Sequence, residues 1–508
     1  MTASTSIHAD TGTGTDIGTD IHTGNSTLRT HRTLRIDPVT RIEGHAKVVI
    51  QLDDAGNLQS AGLVVNELRG FEKILVGMEA DRMPHITARI CGVCPTAHHL
   101  AASNALDHAA GVTAPPAAML LRELMYMGHL IHSHCLSLFV LQGPDLILGL
   151  DADPAIRNIV GIVRAHPDVA KKALRVRTIG QKINETVGGR GVHPVTSVAG
   201  GITFVLDQTL ARRMADWINE GLALMTELTP VVKQLLMTTI DKHPAMLTDW
   251  VVSSWGVGTV KDKKISMIEG LITAVDETGQ QKLAFATPDY DRYMTESVLD
   301  WSYMKPVRIR ERPDDNTVLH DYRVGPLARI NVTGCYGTPW ADREYETFKS
   351  LGGAPCHITV FQAYAKLLET IWALERGAEI LRTPAVFGET RVPVKYQGGR
   401  GVGHVEAPRG TLIHDYEIDD QGIVRAANLV VATQQNYALI NRSLEHAVTS
   451  HVIGRASDDA LLNAVEFSIR CYDPCLSCAT HAVGDMPLEV DIRCAGQRVR
   501  SLRRSSSS

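Results

Sequence analysis

The chain has 508 residues, with 51 basic and 56 acidic side chains, a net charge of −5, 44% hydrophobic and 21% charged residues. This balance fits a globular protein with a substantial buried core and excludes both the basic footprint of a nucleic-acid binder and the polar composition of a disordered chain. Nine cysteines in so long a chain do not make a disulfide framework, which points to free thiols in a reducing compartment, the cytoplasm. No internal repeat is visible, so one large unit is expected.

Residues 1–30 are rich in Thr, Gly, Asp and His and lack the charged and apolar regions of a secretory leader, so a disordered tail is expected, with His8, His22 and neighbouring His31 solvated. The folded domain is expected over 31–481. Residues 46–52 and 58–66 are β-rich runs around Asp53-Asp-Ala-Gly-Asn57 and predict a hairpin. The apolar stretch from Met119 to Leu150 is interrupted by Arg122, Glu123, His129, His132, His134 and Asp145, which predicts a buried helix and not a membrane span. Apolar residues at three- and four-residue spacing predict helices over 117–142, 156–187, 210–236, 361–381 and 435–452. Gly and Pro clusters at 188–193, 333–339, 352–355 and 398–403 read as loops, and 262–315 as a polar insertion. A second hairpin is expected from 412–418 and 423–432 around Asp419-Asp-Gln-Gly422. The expected fold is therefore mostly α with small β elements (α+β), a bundle of long helices with peripheral hairpins.

Chemistry concentrates in two motifs at opposite ends of the chain: Arg89-Ile-Cys-Gly-Val-Cys-Pro-Thr-Ala-His98 and Asp473-Pro-Cys-Leu-Ser-Cys-Ala-Thr-His481. Thiolates of a Cys-x-x-Cys turn can point at one centre, and soft sulfur selects nickel, zinc, copper(I) or iron. A structural zinc held by Cys91, Cys94, Cys475 and Cys478 is one reading. Zinc ribbons, however, place their knuckles close together, because a short loop around the metal is what the metal folds. The polar company of Arg89, His98, Asp473 and His481 also exceeds what a passive staple needs. Other positions carry two readings each. Glu43 could simply pair with Arg41, Asp473 could form a turn before Pro474, Thr433 could be a strand residue, and Glu72 a solvated helix residue. His129, His132, His134 and Cys135 have the composition of a metal cluster but sit in a predicted buried helix, where packing explains them.

Taken together, Arg41-Ile-Glu-Gly-His45, Arg69-Gly-Phe-Glu72, the Cys91/Cys94 motif with His98, Glu406-Ala-Pro-Arg-Gly410 and the Cys475/Cys478 motif with His481 resemble the large, catalytic subunit of nickel-iron hydrogenases, in the family order from about Leu34 onward. The resemblance implies reversible heterolytic cleavage of dihydrogen at a nickel and an iron, the iron carrying carbon monoxide and two cyanides. It implies that Cys91 and Cys475 are terminal on nickel and that Cys94 and Cys478 bridge both metals. It makes Cys475 and Glu43 the first steps of a proton path, with Arg409 over the iron, Asp473 as its counter-ion, and Thr433 as a hydroxyl donor to cyanide. Glu72 and His481 would hold magnesium or a similar divalent ion, and His98 would orient a cysteine sulfur or a ligand.

The same resemblance implies that an endopeptidase cuts after His481 once nickel-insertion factors have loaded the site, so that 482–508, with its arginines and terminal serines, is a removable extension. The alternative is a solvated basic tail. Cys135, Cys335, Cys356, Cys471 and Cys494 are too scattered to hold an iron-sulfur cluster, so a small subunit carrying such clusters is expected as partner. Thr411-Leu-Ile-His-Asp-Tyr416 and the residues around Cys475 look like the cytosolic, bidirectional, NAD-linked branch, which implies diaphorase subunits. Two rivals are a hydrogen-sensing regulatory hydrogenase, which usually ends at the ligand histidine, and the quinone-site subunit of respiratory complex I, which lacks the four cysteines.

Overall fold

The computed structural model describes residues 6–10, 32–53, 55–67, 70–315, 317–451, 459–479, 489–494 and 497–503, with 6–10, 32–35, 459–461 and everything beyond 488 described as backbone alone. Helix outweighs strand, 52% to 19%, so the mostly helical expectation holds. The first hairpin pairs β1 (Lys47–Leu52) with β2 (Leu58–Val64), and burial alternates along β1, with Val48, Ile50 and Leu52 turned inward. Residues 32–37 add a strand beside β1, and 6–10, inside the expected tail, pair with 32–37. The remainder of that tail lies outside the described residues.

The core is a bundle of α1 (Pro95–Ala109), α2 (Pro116–Cys135), α3 (Pro167–Gly188), α4 (Gln208–Lys242) and α5 (Gln362–Arg382), in which α2 packs along α3 and α5, and α5 along α4. Chain 117–142 begins as α2 and continues as a π-helical turn, Leu136–Leu141, followed by another at Pro144–Leu148. The segment Pro116–Leu141 is long and apolar enough to cross a membrane, but 78% of its apolar window is buried in the bundle. The helix expected over 156–187 is divided into Ile159–Ala165 and α3, because Pro167 cannot continue the preceding turn and starts the next helix at N1.

Two expectations fail for tertiary reasons. Residues 398–403, read as a loop, instead open β3 (Gly399–Ala407), which with β4 (Gly410–Ile418) and β5 (Val424–Val430) makes an antiparallel sheet. The glycines serve close approach: a Cβ on Gly403 would lie 2.2 Å from the Ala105 nitrogen and 2.5 Å from the Ala101 carbonyl oxygen, so α1 rests directly on β3. The polar insertion is likewise folded. Strands Trp255–Lys261, Leu271–Val275 and Gln281–Phe285 are completed by Tyr322–Arg323, which runs parallel to the first of them, over a second apolar cluster that includes Val257, Ile272, Phe285 and Ile309. Two further helices close the chain around the bundle, α6 (Ala432–His451) and α7 (Asp459–Tyr472).

Candidate metal centre

The two ends of the chain meet because three charged side chains clamp them. Arg41, held at a left-handed φ of 56°, gives two hydrogen bonds to Asp145 at 2.8 and 2.6 Å. Arg470 on α7 reaches the same carboxylate at 3.1 Å and also donates to the Thr40 carbonyl and hydroxyl, each at 2.9 Å. Burial opposes the Asp145 charge, but Arg470 and Arg41 hold its pKa below the ordinary value. Arg41 is thus spent on Asp145, and Glu43 is left to face the second cysteine motif. There the backbone pairs, Leu476 N–H donating to the Glu43 carbonyl at 3.1 Å. Gly44 makes the approach possible: at φ +83° it could carry a Cβ only 2.8 Å from that of Leu476.

Four buried sulfurs converge. Cys91 Sγ lies 3.0 Å from Cys475 Sγ, Cys94 Sγ lies 3.8 Å from Cys475 Sγ and 3.3 Å from Cys478 Sγ, and Cys475 and Cys478 are 3.2 Å apart. These separations exceed an S–S bond of about 2.05 Å, and all four are free. Cys94 caps the N-terminus of α1 with Pro95 at N1, so the first pair sits where the helix dipole favours negative charge. The Val93 and Cys94 N–H groups both donate to Cys91 Sγ at 3.3 Å. Hydrogen bonding with the neighbouring sulfurs, Cys475 foremost, pushes the Cys91 thiol well below its usual pKa, while burial pushes Cys475 up. Among the described residues this is the one group of His, Cys, Asp or Glu whose ligand atoms all lie close enough, within 4.8 Å, to share a metal.

Around the sulfurs the surroundings divide into a carboxylate side and an apolar side. Cys475 Sγ donates to Glu43 Oε2 at 3.1 Å, and the Ser477 N–H donates to the same oxygen at 3.0 Å. Glu43 is half-buried, on the edge between the centre and the exterior. On the other side a small cavity is lined by Cys94, Cys475 and Cys478, by Ala407, Pro408, Leu412, Val431 and Ala432, and by Arg409, His98 and Thr433. Arg409 Nε donates to the Asp473 carbonyl at 2.7 Å, and its Nη2 is 3.0 Å from Asp473 Oδ2. Burial opposes the guanidinium charge, but Asp473, and the cysteines when they are thiolates, hold it above its ordinary pKa. Asp473 stands at a left-handed φ of 54° before Pro474, so it is both the expected turn former and an ion-pair partner. Thr433 lies in the first turn of α6, not in a strand, and its Oγ1 accepts the Cys475 N–H at 2.9 Å. His98 Nε2 is 3.4 Å from Cys478 Sγ.

Buried soft sulfurs, free of disulfides, fit a nickel-iron pair, and a small cavity with mainly apolar walls and two donors at its edge fits diatomic ligands on one of the metals. The histidines of α2 do not join them. His134 pairs with Glu369 at 2.8 Å, His132 lies 3.4 Å from Arg177 Nη2, and His129 packs against Tyr126. Glu72 is half-buried on a short helix, Phe71–Leu75, while Arg69 and His481 lie outside the described residues.

Sequence reasoning assigned no role to the support beneath Arg409. Arg329, fully buried, donates to both Glu369 oxygens at 2.7 Å, to Glu406 Oε2 at 3.0 Å, and to the carbonyls of Ala407 and Pro408 at 3.0 and 3.4 Å. Glu406 in turn accepts from Thr259 and Thr411, each at 2.8 Å. Its place in the quoted Glu406-Ala-Pro-Arg-Gly410 motif was the one available signal.

A family model described as nickel-dependent hydrogenase matches residues 69–157 and 320–481, and one described as HoxL-like matches 33–68. In Methanococcus voltae, the vhu component of an F420-non-reducing hydrogenase is 40% identical over 425 residues, covering 82% of this chain and 97% of that protein. The chain belongs to the nickel-dependent hydrogenase large-subunit family. The NAD-reducing hydrogenase HoxS subunit beta of Cupriavidus necator is 36% identical over 486 residues, 92% of this chain and 98% of that one. A crystal structure of an NAD+-reducing [NiFe]-hydrogenase in the H2-reduced state superposes with a TM-score of 0.84 at 34% identity, covering 89% of this chain and 99% of that one. The large-subunit fold and the nickel-iron character of the four-cysteine site follow from this membership.

Proposed function

We propose that the chain catalyses reversible heterolytic cleavage of dihydrogen, with Cys91, Cys94, Cys475 and Cys478 holding nickel and Cys94 and Cys478 shared with iron. The bound metals supply the hydride-accepting, electron-transferring chemistry. The chain's own residues handle the proton and the ligands. Cys475 Sγ receives the proton and Glu43 Oε2, 3.1 Å away, takes it onward toward the exterior. Ser477 N–H, by donating to the same oxygen, keeps that carboxylate aimed at the sulfur. Arg409, fixed by Asp473, presents a permanent positive charge to the cavity, and Thr433 and the apolar walls complete the seat for diatomic ligands. Glu72 with His481 is assigned to a divalent ion, with cleavage after His481.

The observation that carries this reading is the meeting, in one buried place, of four unpaired sulfurs, a carboxylate on one of them and a cationic, otherwise mainly apolar cavity beside them. The chain lacks cysteines spaced for iron-sulfur clusters, so an iron-sulfur small subunit takes the electrons. The NAD-reducing relative, matched along 92% of this chain, supports NAD as the final acceptor through diaphorase subunits in the cytoplasm. The test is elemental analysis of the chain purified with its co-expressed partners and maturation factors, infrared spectra for metal-bound cyanide and carbon monoxide, and hydrogen-dependent dye and NAD reduction. Nickel, iron and such bands are expected. Zinc alone, without the bands and without dye reduction, overturns the proposal, and dye reduction without NAD reduction overturns the acceptor.

A further inference from the structure

An α-helix bonds each N–H to the carbonyl four residues before it, so the last turn leaves its carbonyls without helical partners. α7 ends at Tyr472, immediately ahead of the second cysteine pair. Pro474 has no N–H, so the Arg470 carbonyl cannot be met from there. The next N–H groups are spent elsewhere: Cys475 N–H goes to Thr433 Oγ1 at 2.9 Å, and Ser477 N–H to Glu43 Oε2 at 3.0 Å. The carbonyls they would have served in a continuing helix, those of Cys471 and Asp473, are thereby left open.

Each abandoned carbonyl is met by a side chain from a different part of the core. Gln142, just after the first π-helical turn, donates from Nε2 to the Arg470 carbonyl at 2.6 Å, which also accepts the Asp473 N–H at 3.0 Å. Lys366 on α5 donates from Nζ to the Cys471 carbonyl at 2.9 Å. Arg409 Nε serves the Asp473 carbonyl at 2.7 Å. Gln142 and Lys366 are 0% and 1% exposed, and Arg470 and Cys471 are equally buried, so bulk water does not stand in for either donor. Asp473 meanwhile holds a left-handed φ of 54°, where a residue other than glycine stays only when its surroundings keep it. The match is reciprocal. Thr433 takes the N–H that would have met the Cys471 carbonyl, and Lys366 takes that carbonyl. An amine donates whether it is charged or neutral, so this grip does not depend on titration.

We infer that Gln142 and Lys366 are positioning residues for the second cysteine pair: by holding the Arg470 and Cys471 carbonyls they stop α7 at Tyr472, which turns Cys475 out of the helix and aims its sulfur at Cys91 and Glu43. What this positioning serves rests on the reading of Cys475 and Cys478 as metal ligands, whereas the grip on the main chain does not. A buried carbonyl left unmet destabilises the turn that contains it, and the segment 473–478 then regains freedom to shift.

The experiment is hydrogen–deuterium exchange, read by mass spectrometry, on the co-expressed complex carrying Gln142→Leu or Lys366→Met beside wild type, with metal analysis and infrared spectra of the same samples. Both substitutions remove the donor and keep a side chain of similar length. Amides within 473–478 are expected to exchange roughly tenfold faster in each variant, while α1 exchanges at the wild-type rate. The carbon monoxide and cyanide bands of variant enzyme that retains both metals should be displaced. Wild-type exchange at 473–478 in both variants would overturn the inference. So would a uniform rise along the whole chain, which marks general packing, and so would undisplaced bands beside faster exchange, which remove the aiming of Cys475. Wild-type enzyme supplies a check that needs no variant to fold: its Cys475, Leu476 and Ser477 amides should exchange far more slowly than an open loop, and loop-like rates there would overturn the grip. Wild-type enzyme without nickel or bands would overturn the metal-centre reading instead, and leave the exchange result standing.

Discussion

Replacing Glu43 by Gln isolates the proton step from the architecture. The carboxylate accepts two hydrogen bonds at one oxygen, from Cys475 Sγ at 3.1 Å and Ser477 N–H at 3.0 Å, while its main chain is fixed separately by Leu476 N–H. Glutamine has the same shape, and its amide oxygen can keep the Ser477 bond, so the centre should assemble. What the amide cannot do is take a proton. A positioned acid-base group contributes about 10²- to 10⁴-fold, equivalent to roughly 3–5 kcal/mol of barrier. The assay is hydrogen/deuterium exchange of D2 in protonated water, followed by membrane-inlet mass spectrometry, with metal content and infrared bands measured on the same sample. Full metal content with exchange lowered by that factor is expected. Exchange within a few-fold of wild type in fully metallated enzyme would remove Glu43 from the path. Glu43→Asp retains the carboxylate but withdraws it by about 1.5 Å, one bond length, and should fall between the two.

Gly44→Ala should lower nickel content of purified complex, because its Cβ would press on Leu476 and displace the Cys475 turn; undiminished nickel would show that the segment yields. Arg329→Met leaves Glu369 and Glu406 buried without their cation and should cost about 3–5 kcal/mol, read as a lower denaturation midpoint of the complex, whereas an unchanged midpoint would contradict the clamp. Lys366, fully buried with its Nζ on the Cys471 carbonyl at 2.9 Å, has its pKa lowered to about 8 by burial from an ordinary 10.5. The unfolded chain then holds that proton more tightly, so this group adds stability as pH rises from about 8 toward 10.5 and adds none below. Lys366→Met should lose that rise, measured as the difference in melting temperature from wild type across the window; parallel curves would refute it.

The cysteines were legible because a three-residue spacing fixes both their turn and their chemistry, and the flanking residues narrowed the metal. Glu43 needed the family pattern, since its alternative partner Arg41 is two residues away and only the fold shows Arg41 committed to Asp145. Thr433 misleads locally for a similar reason: the strand β5 ends at Val430 and the helix begins at Ala432, a boundary that residue preferences do not resolve. The Arg329, Glu369 and Glu406 assembly left almost no local trace, because each residue is an ordinary charge in its own segment and the pairing spans 40 and 77 residues. The sheet that runs through 262–315 escaped in part because its edge strand, Tyr322–Arg323, pairs in parallel with a strand starting at Trp255, and no turn signal announces such a pairing.

The long separation of the two cysteine pairs has a mechanical meaning in this fold. Cys91 and Cys94 belong to the body: their turn is bonded to itself and capped onto α1, which rests on β3. The second pair is held from outside itself, by the Glu43 carbonyl on Leu476 N–H, by Thr433 on Cys475 N–H, and by the Arg470 clamp on Thr40 and Asp145 just before it. Each of these holds spans tens to hundreds of residues and joins the last motif to a separate part of the finished core. The second pair, which Arg409 on Asp473 and Ser477 N–H on Glu43 also hold, therefore depends on the finished core in a way the first pair does not. The half of the site held by these long-range contacts is also the half that Glu43 meets, its carbonyl on Leu476 N–H and its carboxylate on Cys475 Sγ and Ser477 N–H.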